Sequence, residues 1–171
     1  CDGTVTGTTS TSLPITAQGT TTVTWTYTDA QGNSSTQTQN VVIDDITDPV
    51  VPVLADITGE CSATAVAPTT TDNCSGTLTG TTTDALTYNT QGTFVITWTF
   101  DDGNGNSITV PQNVIVNDVT APTPDVATLT DVTAECEVTA LTAPTATDNC
   151  GGTVTVTSDA TLPITAQGTT V

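Results

Sequence analysis

TFVITWTFDD, residues 93–102, running on through GNGNS into ITVPQNVIV at residue 116, is the stretch that decides the fold. Phe94, Ile96, Trp98 and Phe100 alternate with Val95, Thr97 and Thr99, a period of two that gives a strand one large apolar face and one Thr face. The Asp-, Asn- and Gly-rich segment that follows predicts a tight loop, and ITVPQNVIV a second strand, so the pair reads as a hairpin. Pro111 lies inside that second strand and has no N–H for a ladder, which predicts an edge or a bulge at this point. The same register recurs as Val23, Trp25 and Tyr27. Trp25 and Trp98 both fall on the apolar face and are assigned to core packing rather than to a sugar-binding platform.

Working outward, residues 1–49 align without a gap on residues 74–122, with 25 of 49 positions identical. GT-x-TGTT, QGT, TWT, GN-S, QNV and D-x-T-x-P recur in order. A third copy opens at Cys150 and shares LPITAQGTT with the first, which suggests a pair of alternating modules as the larger unit. Offsets of 73 and 76 residues are too long for a solenoid coil and suit one small sandwich per repeat. No stretch has a helical period. VVIDDITDPV (41–50) and VIVNDVTAPT (114–123) each end a strand, pass through acidic residues and meet Pro. They divide the chain into the latter part of one domain (1–45), a complete domain (46–118) and the first part of another (119–171). An excerpt from a continuous tandem array is the simplest reading.

The chain has 171 residues, no Lys, Arg or His, and a formal charge of −18. Without cationic side chains nothing neutralises phosphate, so nucleic acid and anionic lipid are excluded as partners. General-base His, Zn-ligating His, Schiff-base Lys and P-loop chemistry are excluded as well, and no enzymatic activity is expected. Asp101 and Asp102 are adjacent at a strand end and point apart, whereas a glycosidase needs facing carboxylates across a cleft. Thr, present 47 times, is β-branched and favours pleated backbone, so the apolar pattern argues for folding despite the charge. No run of apolar residues is long enough to insert into a membrane.

Five Cys stand at 1, 61, 74, 136 and 150. Cys61 and Cys74 are 13 residues apart, Cys136 and Cys150 are 14 apart, and both pairs share the order E-C then TDNC. The expectation is two local disulfides, Cys61–Cys74 and Cys136–Cys150, with Cys1 paired upstream of the first residue. CxxC spacing is absent, which disfavours a metal centre built from these thiols, and disulfides imply an oxidising, extracellular setting.

The order D-x-T-x-P, Cys, AP-x-x-T-DNC, QGT, TWT, D-x-x-GN and a closing Val-rich strand resembles the hyalin-repeat (HYR-like) immunoglobulin-type domains found in tandem in bacterial surface proteins, including giant adhesins of gliding bacteria. The resemblance covers the whole chain. It implies an all-β fold of tandem Ig-like β-sandwiches in an extended array, and a role as the shaft of an extracellular filament or large cell-surface adhesin. The partners implied are neighbouring domains of the same chain and other copies in a filament.

In an Ig-type sandwich the loop of the last hairpin lies at the pole where the chain comes in. Asp101, Asp102, Asn104 and Asn106 are therefore expected near Asp44, Asp45 and Asp48 of the preceding linker, with Asn117 and Asp118 beginning the next joint. Such an oxygen-rich set suits Ca²⁺. Asp72 and Asp148 are further candidates whose pole the sequence leaves open. The competing reading is that these residues only form turns, bonded to their own backbone. Two other functions stand as alternatives: a module that binds a glycan or protein ligand through its loops, and an ice-binding surface built on T-x-T runs. A period of 73 residues cannot stack such runs into a regular ladder.

Overall fold

The computed structural model describes residues 3–168, so Cys1 lies outside the described residues. Those residues form strands, bridges and turns and no helix, and none of their segments is a helix that could cross a membrane. The strands are β1 (Gly19–Thr28), β2 (Ser34–Ile43), β3 (Ile57–Gly59), β4 (Ala63–Thr64), β5 (Thr69–Asp72), β6 (Gly76–Thr79), β7 (Thr87–Tyr88), β8 (Gly92–Asp101), β9 (Ser107–Val116), β10 (Thr123–Pro124) and β11 (Ala146–Thr147). They pair into small sheets without closing a barrel. Two compact units result. One gathers Cys1–Leu54, Ala67–Asp84 and Thr97–Pro111, and the other Ala55–Val66, Ala85–Ile96 and Gln112–Val171.

In the first unit β1 and β2 make a ten-residue antiparallel hairpin, in register from Gly19 opposite Ile43 to Thr28 opposite Ser34. Its loop is held by Asp29, whose carboxylate accepts the N–H groups of Gln31 and Asn33 and the Asn33 amide. Gly32 takes φ +89°, a value that a Cβ would strain. Val23 is buried, while Trp25 and Tyr27 are only half-buried and place their polar tips on Gln39 and Gln37. Trp25 is thus less covered than the core assignment expects.

The same unit contains the antiparallel pair β5 and β6 and the upper part of β8. Trp98 and Phe100 are buried at 1% and 0% exposure, and Gly80 lies so close beneath them that a Cβ there would stand 3.1 Å from the Phe100 ring. Gly7 lies in the same way under Tyr27, the residue matching Phe100. A bridge from Thr81 to Thr99 repeats the one from Thr8 to Thr26. The hairpin periodicity of the two copies is therefore realised twice in the same local form.

In the second unit β3 runs parallel to β9, from Ile57 opposite Val114 to Gly59 opposite Val116. A parallel pair cannot be joined by a tight turn, and here most of the repeat intervenes. Ile96, Val114 and Val116 are buried, and Tyr88 stacks on Phe94 at 4.6 Å. Because β3 covers β9 only from Val114 onward, Pro111 sits beside no β3 ladder, as its missing N–H requires. β4 pairs with β7, placing Ala63 opposite Tyr88, and the bridge between Val138 and Ile164 reproduces this pairing in the third copy. β10 and β11 form a further short antiparallel pair.

Candidate functional site

Three short sequence devices build a cluster of carboxylates in the first unit. Two residues beyond β2, the Asp45 N–H donates to Gln18 Oε1 at 2.9 Å, and Asp45 Oδ1 accepts the Thr47 N–H at 3.2 Å. At the end of β5, Asp72 Oδ1 accepts the N–H groups of Cys74 and Ser75, both at 2.8 Å, the side chain-to-backbone turn that D-N-C encodes. After β8, Asp102 Oδ1 accepts from the N–H groups of Asn104 (2.7 Å) and Asn106 (3.1 Å). Asn106 Nδ2 donates to Asp102 Oδ2 at 2.7 Å, the arrangement already met at Asp29 and Asn33.

These devices bring Asp45, Asp72 and Asp102 together, with one carboxylate oxygen from each lying within 4.8 Å of the others. All three residues are buried, at 6%, 7% and 8% exposure, and Asp72 Oδ2 is enclosed without a hydrogen-bond partner. Three like charges with an orphaned oxygen in low-dielectric surroundings are costly unless a cation or a proton offsets them. The chain holds no cationic side chain. Oxygens on opposite sides of a Ca²⁺ ion stand about 5 Å apart, twice a Ca–O distance, so the carboxylates are spaced to close on such an ion, and their hardness suits it.

Asn104 and Asn106 reach the cluster as donors. Asn104 Nδ2 lies 3.1 Å from Asp45 Oδ2 and 3.2 Å from Ser75 Oγ, and Asn106 Nδ2 lies 3.0 Å from the Asp45 carbonyl. Ser75 Oγ in turn donates to the Asp102 carbonyl at 2.7 Å. Burial is the largest influence on Asp102 and raises its pKa. The Asn106 amide and the N–H groups of Asn104, Asn106 and Gly105 together outweigh it and hold the carboxyl below its ordinary 3.8. The Cys74 thiol is pushed above its ordinary value by loss of solvent and by Asp45, Asp72 and Asp102.

Not every expected ligand joins this group. Asp44, Asp48 and Asp101 are exposed and stand outside it, and Asp101 Oδ1 accepts the Gly103 N–H as a turn former. Asp72, which the sequence left without a pole, belongs to its centre. The paired signal D-N-C was visible in the sequence, but which pole the loop faced depended on β5 and β6.

The second unit repeats two of these devices. The Asp118 N–H donates to Gln91 Oε1 at 2.8 Å, Asp118 Oδ1 accepts the Thr120 N–H at 3.0 Å, and Asp148 Oδ1 accepts the Cys150 N–H at 2.9 Å. Asn117 is exposed and donates its N–H to the Gly59 carbonyl. Asp118, Asp148 and Cys150 form a group of the same size as the first, but the Cys150 sulfur is spent in a disulfide and offers no thiolate.

That disulfide corrects the expected pairing. Cys61 bonds Cys150, across 89 residues and a Cα–Cα distance of 4.8 Å, while Cys74 and Cys136 are free and exposed. The local bonds Cys61–Cys74 and Cys136–Cys150 do not form. Between Cys61 and Cys74 the chain runs extended through β4 and β5, which advance about 3.3 Å per residue. They take Cys74 to the Asp45 cluster of the first unit, while Cys61 stays in the second. Glu60, a residue the sequence reading passed over, completes the contact. Its carboxylate accepts Thr120 Oγ1 at 2.9 and 3.1 Å and Asn149 Nδ2 at 2.7 Å. The recurrence of E-C at residues 60–61 and 135–136 was the available signal. Comparison of the chain with protein-family models, with curated proteins and with solved structures finds no match.

Proposed function

We propose that the chain is a structural segment of an extracellular filament or large bacterial surface adhesin, composed of tandem Ig-like β-sandwiches with boundaries near residues 45 and 118 and with joints stiffened by Ca²⁺. The observation that carries this reading is that the joint is made twice from matching residues. Gln18, Asp45, Thr47, Asp72 and Cys74 in the first have their counterparts in Gln91, Asp118, Thr120, Asp148 and Cys150 in the second. A shaft needs a repeated joint, whereas a ligand-binding module needs one distinctive loop. The parallel edge pair β3–β9 and the all-β pattern support a sandwich, and the Cys61–Cys150 bond supports an oxidising location.

Ca²⁺ would be held by Asp45, Asp72 and Asp102, where it would offset three carboxylates and tie the linker after β2 to the D-N-C turn and the β8–β9 loop. Small-angle scattering with Ca²⁺ and with chelator tests the proposal. The expected result is an elongated particle whose maximum dimension changes on chelation while its β-sheet circular dichroism is retained. An unchanged dimension overturns the calcium joint, and a compact, near-spherical particle overturns the shaft.

A further inference from the structure

The two free cysteines occupy the two kinds of position that the Cys61–Cys150 bond joins. Cys61 follows Glu60 in an E-C bend, and Cys150 ends a D-N-C turn in the next copy. Cys74 ends the other D-N-C turn. Its N–H rests on Asp72 Oδ1 at 2.8 Å, as the Cys150 N–H rests on Asp148 Oδ1 at 2.9 Å. Cys136 follows Glu135 in the other E-C bend. There Gln167 Nε2 donates to the Glu135 carbonyl as Gln91 Nε2 does to that of Glu60, and the Val138–Ile164 bridge stands where Ala63 pairs with Tyr88. Both half-sites are therefore formed locally in the shape that supports a bond elsewhere in the same molecule.

The surroundings match as well. Beside Cys150, Thr120 and Asn149 are engaged by Glu60. Beside Cys74, the matching Thr47 and Asn73 have no such Glu among the described residues, and the Asn73 amide turns to the Cys74 sulfur at 3.4 Å. Neither free cysteine has a competing partner within its own repeat, because Cys61 and Cys150 are already bonded to each other.

We propose that Cys74 and Cys136 are the open ends of a disulfide ladder in which the E-C cysteine of each repeat bonds the D-N-C cysteine of the repeat that follows it. Cys74 takes the sulfur of a Glu–Cys bend from a preceding repeat, and Cys136 gives its sulfur to a D-N-C turn in a following one. The other repeat belongs either to the same chain or to a second copy. Each rung forms when two thiols lose two protons and two electrons to a disulfide oxidant, which is reduced to two thiols; a mixed disulfide forms first and the second thiolate displaces the oxidant's remaining sulfur. The ladder goes beyond the shaft reading and needs no calcium. A chain so linked has every joint spanned by a covalent bond beside its peptide linker, and it bears load at a joint even when the small sheets open.

Disulfide mapping tests this on the protein isolated from its source without reductant, with free thiols blocked. Pepsin is the suitable protease, since trypsin has no cleavage site. The expected linked peptides are Cys61 with Cys150, Cys74 with a cysteine that follows Glu, and Cys136 with a cysteine that follows Asp-Asn. A fall in mass on reduction in a denaturing gel assigns the rungs to separate copies, and an unchanged mass assigns them to one chain. Recovery of Cys74 and Cys136 as blocked thiols, a Cys61–Cys74 or Cys136–Cys150 peptide, or any partner of another type overturns the ladder. Cys74→Ser should abolish its own rung and leave Cys61–Cys150 intact, which separates loss of a bond from loss of the fold.

Discussion

At the first joint Asp45 and Asp72 meet a third carboxylate, Asp102, from the β8–β9 loop, and Cys74 is free among the described residues. At the second, the matching Asp118 and Asp148 group with the Cys150 sulfur among the described residues, and Glu60 and Cys61 close on Thr120, Asn149 and Cys150. The linker and the D-N-C turn are the same in both, and among the described residues they differ in the third element that meets them. A hairpin loop brings charge, and an E-C bend brings sulfur.

The largest expected break in this comparison comes from Cys61→Ser or Cys150→Ser. Loop closure over the 89-residue separation is worth about 4.6 kcal/mol in the chain-entropy account. Urea unfolding should show a loss of that order in the second unit, and reductant should bring the wild type down to the variant. The first joint should be indifferent to either substitution.

Asp72→Asn strikes the first joint alone. It removes the enclosed, unpartnered oxygen and one of three clustered charges, so Ca²⁺ affinity measured by calorimetry should fall by about tenfold or more. Without calcium the same variant should melt no lower than wild type, because a repulsion has been relieved. Asp148→Asn, its counterpart in the second unit, should leave calcium binding at the Asp45, Asp72 and Asp102 group unchanged.

Glu60→Gln tests the smaller part of the second lock. It keeps the shape but loses the charge that accepts from Thr120 and Asn149, and a cost of about 1 kcal/mol is expected, visible as a lower denaturant midpoint.

The smallest effect is in acid. For Asp29 the Asn33 side-chain and backbone hydrogen bonds are the main cause of a pKa held below 3.8; for Asp102 hydrogen bonds outweigh the opposing burial. A carboxyl whose folded value is depressed contributes fully above its unfolded value and loses that contribution as pH falls through the lower folded value. Amide exchange at Gln31, Asn33, Asn104 and Asn106 should therefore quicken only below about pH 4. Added Ca²⁺ should move that transition to lower pH at Asn104 and Asn106 and leave Gln31 and Asn33 where they are.

Much of this architecture is legible residue by residue. The alternation from Phe94 to Phe100 specifies β8, the D-x-x-GN segment specifies its turn, and Gly105 at φ +115° stands where Gly32 stands in the first copy. Trp25 shows the limit. Its strand has the same pattern as that of Trp98, yet it is half-buried, because coverage depends on segments that pattern alone does not supply. The cysteines show it more sharply. Spacings of 13 and 14 residues fit two local loops equally well, and nothing in either loop reveals that Cys61 bonds Cys150 instead. Glu60 carried no signal beyond its recurrence before Cys, since its partners Thr120 and Asn149 lie 60 and 89 residues away.

The amino-acid order by itself determined the strands, the Asx-capped loops, the repeat and the absence of any internal cation, because each follows from neighbours a few positions apart or from composition. The tertiary structure alone decided which cysteine meets which and that Asp72, not Asp44 or Asp101, joins Asp45 and Asp102. Those outcomes depend on where extended segments deliver their ends. The pleat of a strand sets the facing of a side chain locally, whereas the meeting of two loops is set by every strand between them.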